Sequence, residues 1–337
     1  MKKKSNLYYT IFYVILLSFS MYVLLDTFVI PHSIAQVQSD ADDSTANTQK
    51  QGKTGDSATN AQKQDNADDS TISTNDQNET DDVDTQSQTQ EAVWTDNSYT
   101  DENISITIET REVCNTTVYI ADVQLSSAEY LKTALANDTF GTNVTETTST
   151  QAEAKRAILA VNGDYYGANK TGYVIKNGTV YRDSVRNDSE YDDLVIYEDG
   201  SFGIINETEI SAEQLVENGV TQLFAFGPAL VENGEIAVNQ DSEVGKAMAS
   251  NPRTAIGVID ELHYVFVVAD GRSSESEGLS LYELAELLQD YGCETAYNLD
   301  GGGSSTMYFN GQVINKPTTN GHSFKEREVS DIVYIGY

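Results

Sequence analysis

The residues best suited to chemistry lie in the stretch Asp300-Gly301-Gly302-Gly303-Ser304-Ser305, near the end of the 337-residue chain. Three consecutive glycines lose much conformational entropy on ordering and give no side chain to a core. They allow successive backbone N–H groups to point toward one spot, and such a nest binds phosphate or carboxylate oxygens. The loop lacks the lysine and the following helix of a Walker motif. We expect an anion-binding loop beside the carboxylate of Asp300, with a tight turn capped by Asp300 as the alternative.

A second acidic turn, Asp270-Gly271-Arg272, follows the apolar run 263–269. A helical pattern separates it from the strand-like stretch that ends at Asp300. If the two strands are neighbours in a sheet, both carboxylates lie at the same edge, where open sheets bind ligands. A single Asp-Gly after a strand is usually only a turn, but its repetition, with Arg272 adjacent, favours a functional site.

Two further stretches carry groups that bind anions or sugars. Arg253 follows Pro252, which stiffens the chain, and a guanidinium held in this way makes bidentate contacts to phosphate or carboxylate. Asn162 and Asp164 follow a buried run and precede two tyrosines that could stack on a sugar face. The structural alternatives are a salt bridge for Arg253 and a plain turn at 162–167.

Other catalytic signatures are missing from the sequence. The three histidines are scattered, and no HExxH, GxSxG or cysteine–histidine spacing occurs. Chemistry would therefore depend on carboxylates, arginines and backbone amides. Carboxylate pairs cleave glycosidic bonds, whereas arginines and amides suit a phosphate group. Cleavage of a sugar-1-phosphodiester requires both together.

The elements that must position these residues form an α+β fold, a single mixed and largely antiparallel sheet domain with a few helices. Four Asn-Gly or Asp-Gly pairs between apolar runs predict hairpins: they are Asn177-Gly178, Asp199-Gly200, Asn233-Gly234 and Asn310-Gly311. A capping box of Ser280 and Glu283 opens an amphipathic helix that ends at Gly292. We also expect a shorter helix between Ser211 and Gly219, and another opened by Ser126 and Glu129.

The N-terminal third differs from this pattern. Three lysines precede an apolar run from Leu7 to Ile30, long enough to span a bilayer with the lysines inside. We favour an uncleaved anchor within residues 1–35 over a signal peptide cleaved after Ser33-Ile34-Ala35. Residues 36–99 are polar and of low complexity, which predicts a disordered spacer before a folded domain at 100–337.

Charge and cysteine content limit the partners and the compartment. The chain has 53 acidic and 20 basic residues and a net charge of -33, which argues against a nucleic-acid partner. The acidic loops suggest a divalent cation such as calcium as the one candidate cofactor. We favour two isolated thiols for Cys114 and Cys293, with a disulfide between them as the alternative.

The motifs together resemble the phosphodiester glycosidase family. The resemblance rests on NGDYYG (162–167), FGPAL (226–230), NPRTAIG (251–257), DGR (270–272), NLDGGGSSTM (298–307) and ERxVSDIVYI (326–335). It implies hydrolysis of a sugar-1-phosphodiester, such as an α-GlcNAc-1-phosphodiester. The family pattern covers all the candidates above. Family members often have proline where this chain has Glu328, and small or apolar residues where it has Asp164 and Tyr165.

From the residues and the resemblance together we assign roles as hypotheses. Asp300, Asp270 and Asp164 are the catalytic candidates; Arg253, Arg272, Asn162, Arg327 and residues 301–305 are the substrate- or phosphate-binding candidates. The expected protein is a membrane-anchored extracytoplasmic hydrolase, with a cytoplasmic N-terminus, that acts on an envelope polymer or glycoconjugate. Alternatives are a non-catalytic carbohydrate-binding or envelope-assembly protein, a metal-dependent phosphodiesterase, and a form secreted after signal cleavage.

Overall fold

The secondary structure is dominated by strands. A computed structural model of the chain describes residues 32–33, 91–186, 192–242 and 250–337. Three α-helices lie within these ranges: α1 (Thr148–Lys155), α2 (Ala212–Glu217) and α3 (Leu281–Asp290). The first ten strands are β1 (His32–Ser33), β2 (Val93–Trp94), β3 (Ser98–Thr100), β4 (Ile104–Val113), β5 (Thr116–Leu125), β6 (Leu131–Leu135), β7 (Gly141–Thr142), β8 (Leu159–Asn162), β9 (Val174–Lys176) and β10 (Thr179–Arg182). The others are β11 (Asp193–Tyr197), β12 (Phe202–Ile205), β13 (Val220–Phe224), β14 (Ala229–Glu232), β15 (Glu235–Ile236), β16 (Arg253–Asp260), β17 (His263–Ala269), β18 (Thr295–Asn298), β19 (Met307–Phe309), β20 (Gln312–Val313) and β21 (Asp331–Ile335).

Two large sheets organise the fold. One has nine strands in the order β15-β14-β18-β16-β17-β5-β4-β3-β2, and the other has five in the order β20-β19-β8-β21-β6. A three-stranded sheet, β12-β11-β13, and the pairs β9–β10 and β1–β7 complete the set within the described ranges. Their pairings are antiparallel. The expected α+β fold with largely antiparallel sheets is confirmed.

The main hydrophobic core packs one face of the nine-stranded sheet against one face of the five-stranded sheet. Ile106, Phe266 and Tyr297 from the first meet Leu159 and Val333 from the second. Helices cover the outer faces: α3 lies on the nine-stranded sheet, and α1 lies on the five-stranded sheet. This burial fixes the strand ends that carry the candidate site residues.

Local sequence signals predicted several elements well. All four Asn-Gly or Asp-Gly pairs connect hairpins, namely β9–β10, β11–β12, β14–β15 and β19–β20. Helix α3 has the predicted capping box, in which Ser280 accepts from the Glu283 amide and Glu283 accepts from the Ser280 amide. Gly292 follows its end at φ +92°. Helix α2 begins after Ser211, as expected.

The prediction of a helix that begins at Ser126 is wrong. Only a 3-10 turn forms at Ala128–Tyr130, capped by Ser127 instead, and residues 131–135 continue as strand β6. Strand β6 pairs with β21, nearly 200 residues later in the chain. This long-range pairing and the burial of Leu131 and Leu135 outweigh the local helical preference.

The predicted anchor and nearly all of the predicted spacer lie outside the described residues. Strands β2 and β3 fall within the last residues assigned to the spacer and extend the nine-stranded sheet. No helix in the described ranges is long and apolar enough to cross a membrane. Cys114 and Cys293 are both free thiols, as we favoured.

The capping box of α3 provides a test of the fold. Ser280→Ala removes the hydroxyl that accepts a hydrogen bond from the Glu283 amide. We expect this substitution to lower the free energy of unfolding by about 1 kcal/mol. The measurement is urea denaturation. The control is Ser274→Ala, since Ser274 is exposed and lies outside the helix, and it should leave the midpoint unchanged. Equal effects of both variants would contradict the capping role.

Candidate active site

The ends of strands from both large sheets meet at one place. Strand β17 leads into Asp270, β18 leads into Asp300, and β16 begins at Arg253. Strands β17 and β18 are not neighbours, because β16 lies between them and is antiparallel to both. They therefore run parallel to each other, and both aspartates still follow strands that end at the same edge of the sheet.

The buried side chain of Asn162 joins the two sheets at this edge. Its Nδ2 donates to the carbonyl oxygen of Asp300 at 2.6 Å. Its Oδ1 accepts from the Thr254 hydroxyl at 2.8 Å and from the Thr306 amide at 3.3 Å. Asn162 is 0% exposed, so its contacts position the loop of Asp300, and its predicted role in substrate binding stays a prediction.

The carboxylate of Asp300 is held by two side chains. Its Oδ2 accepts from the Ser304 hydroxyl at 2.5 Å and from Nη2 of Arg327 at 2.9 Å. Burial raises the pKa of Asp300, and the positive charge of Arg327 and the bond from Ser304 counteract part of that rise. A carboxylate in this position can work as a base or stabilise positive charge, because it titrates above its ordinary range.

The glycine loop forms a tight turn at Gly302–Ser304. The amide of Gly302 donates to the Pro252 carbonyl at 2.8 Å, and the amides of Ser304 and Ser305 donate to carbonyls within the turn. We expected these amides to bind an anion, but these three already donate hydrogen bonds inside the protein. The loop instead presents its surface to arginine side chains.

The guanidinium of Arg272 lies against this turn. A Cβ on Gly302, which has φ +62°, would lie 2.8 Å from Nη2 of Arg272, so a side chain there would displace the guanidinium. Arg272 also donates to Asn251 Oδ1 and to the Thr319 carbonyl. Burial lowers the pKa of Arg272, as does the nearby charge of Arg327, whereas Asp300 raises it. Two guanidiniums and one carboxylate are therefore within electrostatic range of each other.

The buried side chains of Arg253 and Asp270 bond to two different loops. Arg253 is 3% exposed, and its Nε donates to the Leu279 carbonyl at 2.9 Å. Asp270 Oδ1 accepts from Asn315 Nδ2 at 3.0 Å, and the same amide group donates to the Ser305 carbonyl. Burial raises the pKa of Asp270, partly offset by hydrogen bonds from the Lys316 amide and the Asn315 side chain. Asp270 is connected to the glycine loop through Asn315, whereas Arg253 bonds to the carbonyl that precedes helix α3. Their predicted roles in binding and catalysis stay predictions.

Asp300 opens into a cavity of about 200 Å³. Asp164, Arg327 and Glu328 also line it, with Tyr165 at 48% exposure. Larger cavities of about 360 and 490 Å³ contain none of the predicted site residues. We assign the site to the smaller cavity because the predicted site residues Asp164, Asp300 and Arg327 line it.

Asp164 joins two loops beside this cavity. Its Oδ1 accepts from the Tyr166 amide at 2.9 Å, and its Oδ2 accepts from the Ala225 amide at 3.0 Å. Both oxygens of Asp164 and Oδ2 of Asp300 thus already accept hydrogen bonds from the protein. No group of three or more metal-ligating side chains occurs in the described part of the chain. The calcium expectation has no support from these residues.

Sequence analysis missed a buried ion pair next to the site. Nζ of Lys176 lies 2.7 Å from Oδ2 of Asp331, and both side chains are almost fully buried. Burial raises the pKa of Asp331 to about 7; the charge of Lys176 lowers it, and the charges of Asp164 and Asp300 add to the rise. Little in the sequence indicates this pair, because Lys176 precedes a hairpin turn and Asp331 opens an apolar strand.

This ion pair makes stability depend on pH. The pKa of Asp331 is higher in the folded protein than the ordinary value of 3.8, so stability falls as pH rises from about 4 to 7. In Lys176→Met the carboxylate loses its partner, and its pKa rises further. We expect a loss of about 3 kcal/mol at pH 8, where a buried charge is left unpaired, and a smaller loss at pH 5.

The measurement for Lys176→Met is urea denaturation at both pH values. Lys155→Met is the matched control, because Lys155 pairs with Asp138 at the surface, where ion pairs contribute about 1 kcal/mol or less. A loss that is the same at pH 5 and pH 8 would contradict the assigned pair.

Comparison with known proteins is consistent with this geometry. The phosphodiester glycosidase profile matches residues 155–336. The chain is 32% identical over 201 residues to the SPbeta prophage-derived uncharacterized protein YomE of Bacillus subtilis, covering 59% of this chain and 31% of that protein. It is 32% identical over 130 residues to N-acetylglucosamine-1-phosphodiester α-N-acetylglucosaminidase of Mus musculus, covering 34% of this chain and 25% of that enzyme. The chain thus spans less than a third of the length of these relatives.

The fold has a counterpart among solved structures. The catalytic domain of zebrafish N-acetylglucosamine-1-phosphodiester α-N-acetylglucosaminidase, auto-inhibited by its pro-peptide, superposes with a TM-score of 0.55 and 23% identity. The superposition covers 69% of this chain and 83% of that one. Since the profile match alone covers more than half of the 337 residues, the chain belongs to the phosphodiester glycosidase family.

Proposed function

We propose that this protein hydrolyses the bond between C1 of a sugar and a phosphodiester. The observation that carries the proposal is the buried carboxylate of Asp300, bonded to Arg327 and exposed to a cavity, with Arg272 against the same glycine turn. A phosphate group needs the cations, and a sugar carbon that gains positive charge needs the carboxylate. Family membership supports the same reaction class.

In this proposal the phosphate binds to Arg272 and Arg327. The side chain of Arg327 is 40% exposed, and Arg272 is partly exposed. Guanidiniums bind phosphate oxygens in bidentate fashion and neutralise the charge of the leaving group. Arg253 is 3% exposed, and its predicted role in phosphate binding stays a prediction.

The sugar would occupy the cavity beside Asp300. Its volume of about 200 Å³ is below the 300 Å³ or more of pockets for larger ligands, which favours a single sugar ring. The exposed ring of Tyr165 can stack on a sugar face. Tyr166 takes no such part, because it is buried and stacks on Phe140.

Hydrolysis breaks the C1–O bond and forms a new bond between C1 and a water oxygen. The electron pair of the broken bond leaves with the phosphate, which arginine side chains stabilise, so a separate general acid is not required. Asp300 either accepts the proton of the attacking water or stabilises the positive charge at C1. Both roles need its ionised form, so activity should rise with pH through the raised pKa of Asp300.

The location and natural substrate are part of the proposal. An apolar run at residues 7–30 after three lysines supports an anchor with the folded domain outside the cytoplasm. The net charge of -33 suits such an exposed, soluble domain. We propose a substrate such as an α-GlcNAc-1-phosphodiester of an envelope polymer or glycoconjugate.

The direct test is turnover of a GlcNAc-1-phosphodiester by the purified protein. Asp300→Asn should lower kcat about 10²- to 10⁴-fold, because it removes the ionisable carboxylate, while ligand binding persists. Hydrolysis in heavy-oxygen water should place the label in the sugar. Label in the phosphate would instead indicate the alternative phosphodiesterase.

Loss of ligand binding in Asp300→Asn, with no turnover by the wild type, would support the alternative of a non-catalytic carbohydrate-binding protein. Addition of calcium or EDTA is a further control, and we expect it to leave turnover unchanged. Turnover that requires added calcium would contradict the metal-free mechanism proposed here.

The phosphate-binding role of Arg272 is tested separately. Arg272→Met should raise KM about 10- to 100-fold, since a hydrogen bond to a charged group contributes about 1.5–3 kcal/mol. The affinity for free sugar should change much less, because the sugar binds elsewhere. Arg111→Met is the control, because Arg111 is a half-exposed arginine on β4 that pairs with Glu109. A similar KM in both variants would contradict the phosphate-binding role of Arg272.

A further inference from the structure

Three consecutive residues, Glu326, Arg327 and Glu328, connect the active site to helix α1. We propose that Glu326 is a positioning residue for the hydrolysis proposed above: its carboxylate fixes this segment on helix α1, so that Arg327 is held against Asp300. The inference rests on the proposed function but concerns a residue that does not itself touch the substrate.

Glu326 anchors the segment on one side. One oxygen of its carboxylate accepts from the Ser149 amide at 2.9 Å, and the other accepts from the Ser149 hydroxyl. Ser149 is the second residue of helix α1, where the amide has no partner inside the helix. The Thr147 hydroxyl accepts from the Thr150 amide at 3.2 Å. Glu326 and Thr147 therefore cap different amides of the helix. The positive end of the helix favours a carboxylate at this position.

The residues after Arg327 continue the attachment to the same region. Glu328 accepts from the Thr145 hydroxyl at 2.8 Å. Val329 and Glu146 exchange two backbone hydrogen bonds, at 2.8 and 3.1 Å. Nε2 of Gln151 donates to the Val329 carbonyl at 3.1 Å. The chain on both sides of Arg327 is therefore tied to residues 145–151.

Arg327 points the other way, toward the glycine loop. Its amide donates to the Gly303 carbonyl at 3.2 Å, and its guanidinium donates to Ser304, Asp300 and the Gly301 carbonyl. A free arginine side chain has much rotamer entropy to lose when it is held in one place. Anchors on both sides of Arg327 fix its backbone and reduce the number of positions its guanidinium can occupy.

The consequence reaches the carboxylate of Asp300. The charge of Arg327 opposes the effect of burial on the pKa of Asp300, so displacement of the guanidinium should raise that pKa. The other charged groups near Asp300 are Arg272, Asp331 with its partner Lys176, and Asp164 and Glu328 in the cavity wall. A change at Glu326 alters none of these, so an effect on Asp300 would act through Arg327.

The test compares Glu326→Ala and Glu326→Gln with Glu153→Ala, which removes an exposed carboxylate from the same helix. In Glu326→Ala we expect about a tenfold loss of kcat on the acidic limb of the pH profile that recovers on the plateau at higher pH, because the limb moves up by about one unit. Glu326→Gln keeps an acceptor for the Ser149 amide and should retain part of the activity. Glu153→Ala should resemble the wild type.

A second measurement needs no substrate. The carboxyl carbon of Asp300, labelled with ¹³C and identified by its loss in Asp300→Asn, should titrate at higher pH in Glu326→Ala than in the wild type. Absence of wild-type turnover would overturn the proposed function, and this titration would still test the role of Glu326. A folded Glu326→Ala protein in which Asp300 titrates as in the wild type, or activity is lost equally at every pH, would overturn the inference.

Discussion

The hydrogen bonds of the buried Asn162 amide are the interaction on which the site depends. Asn162 ends a strand of the five-stranded sheet, yet it bonds to Asp300 and Thr254, which belong to the other sheet and its loop. An aliphatic residue of similar size could fill the space but could not satisfy the Asp300 carbonyl and the Thr254 hydroxyl. Because buried polar groups must be paired, this one side chain fixes how the two sheets meet.

Three buried carboxylates lie around this junction. Within a protein of net charge -33, the buried carboxylates of Asp164, Asp300 and Asp331 lie close enough to influence one another. Backbone amides hold Asp164, Arg327 bonds to Asp300, and Lys176 pairs with Asp331. Each buried charge is thus stabilised differently, and Asp300 alone combines burial, an arginine and contact with a cavity.

Side-chain packing on the glycine loop explains one of its three glycines. Glycine is required at 302 because of its positive φ and because the Arg272 guanidinium occupies the space where a side chain would be. The amides of the loop mainly satisfy the protein itself. The anion-binding role that the sequence predicted for these amides stays a prediction.

Local sequence determined the hairpins, helix α3 and the identity of the acidic turns, because turn residues and capping boxes act over a few positions. Tertiary structure decided that residues 131–135 form a strand, since their partner lies at 331–335. It also decided the difference between Asp300, which faces a cavity, and Asp270, which holds a neighbouring loop. Both aspartates follow strands and precede glycines, and only packing with distant residues determines which carboxylate meets an arginine and solvent.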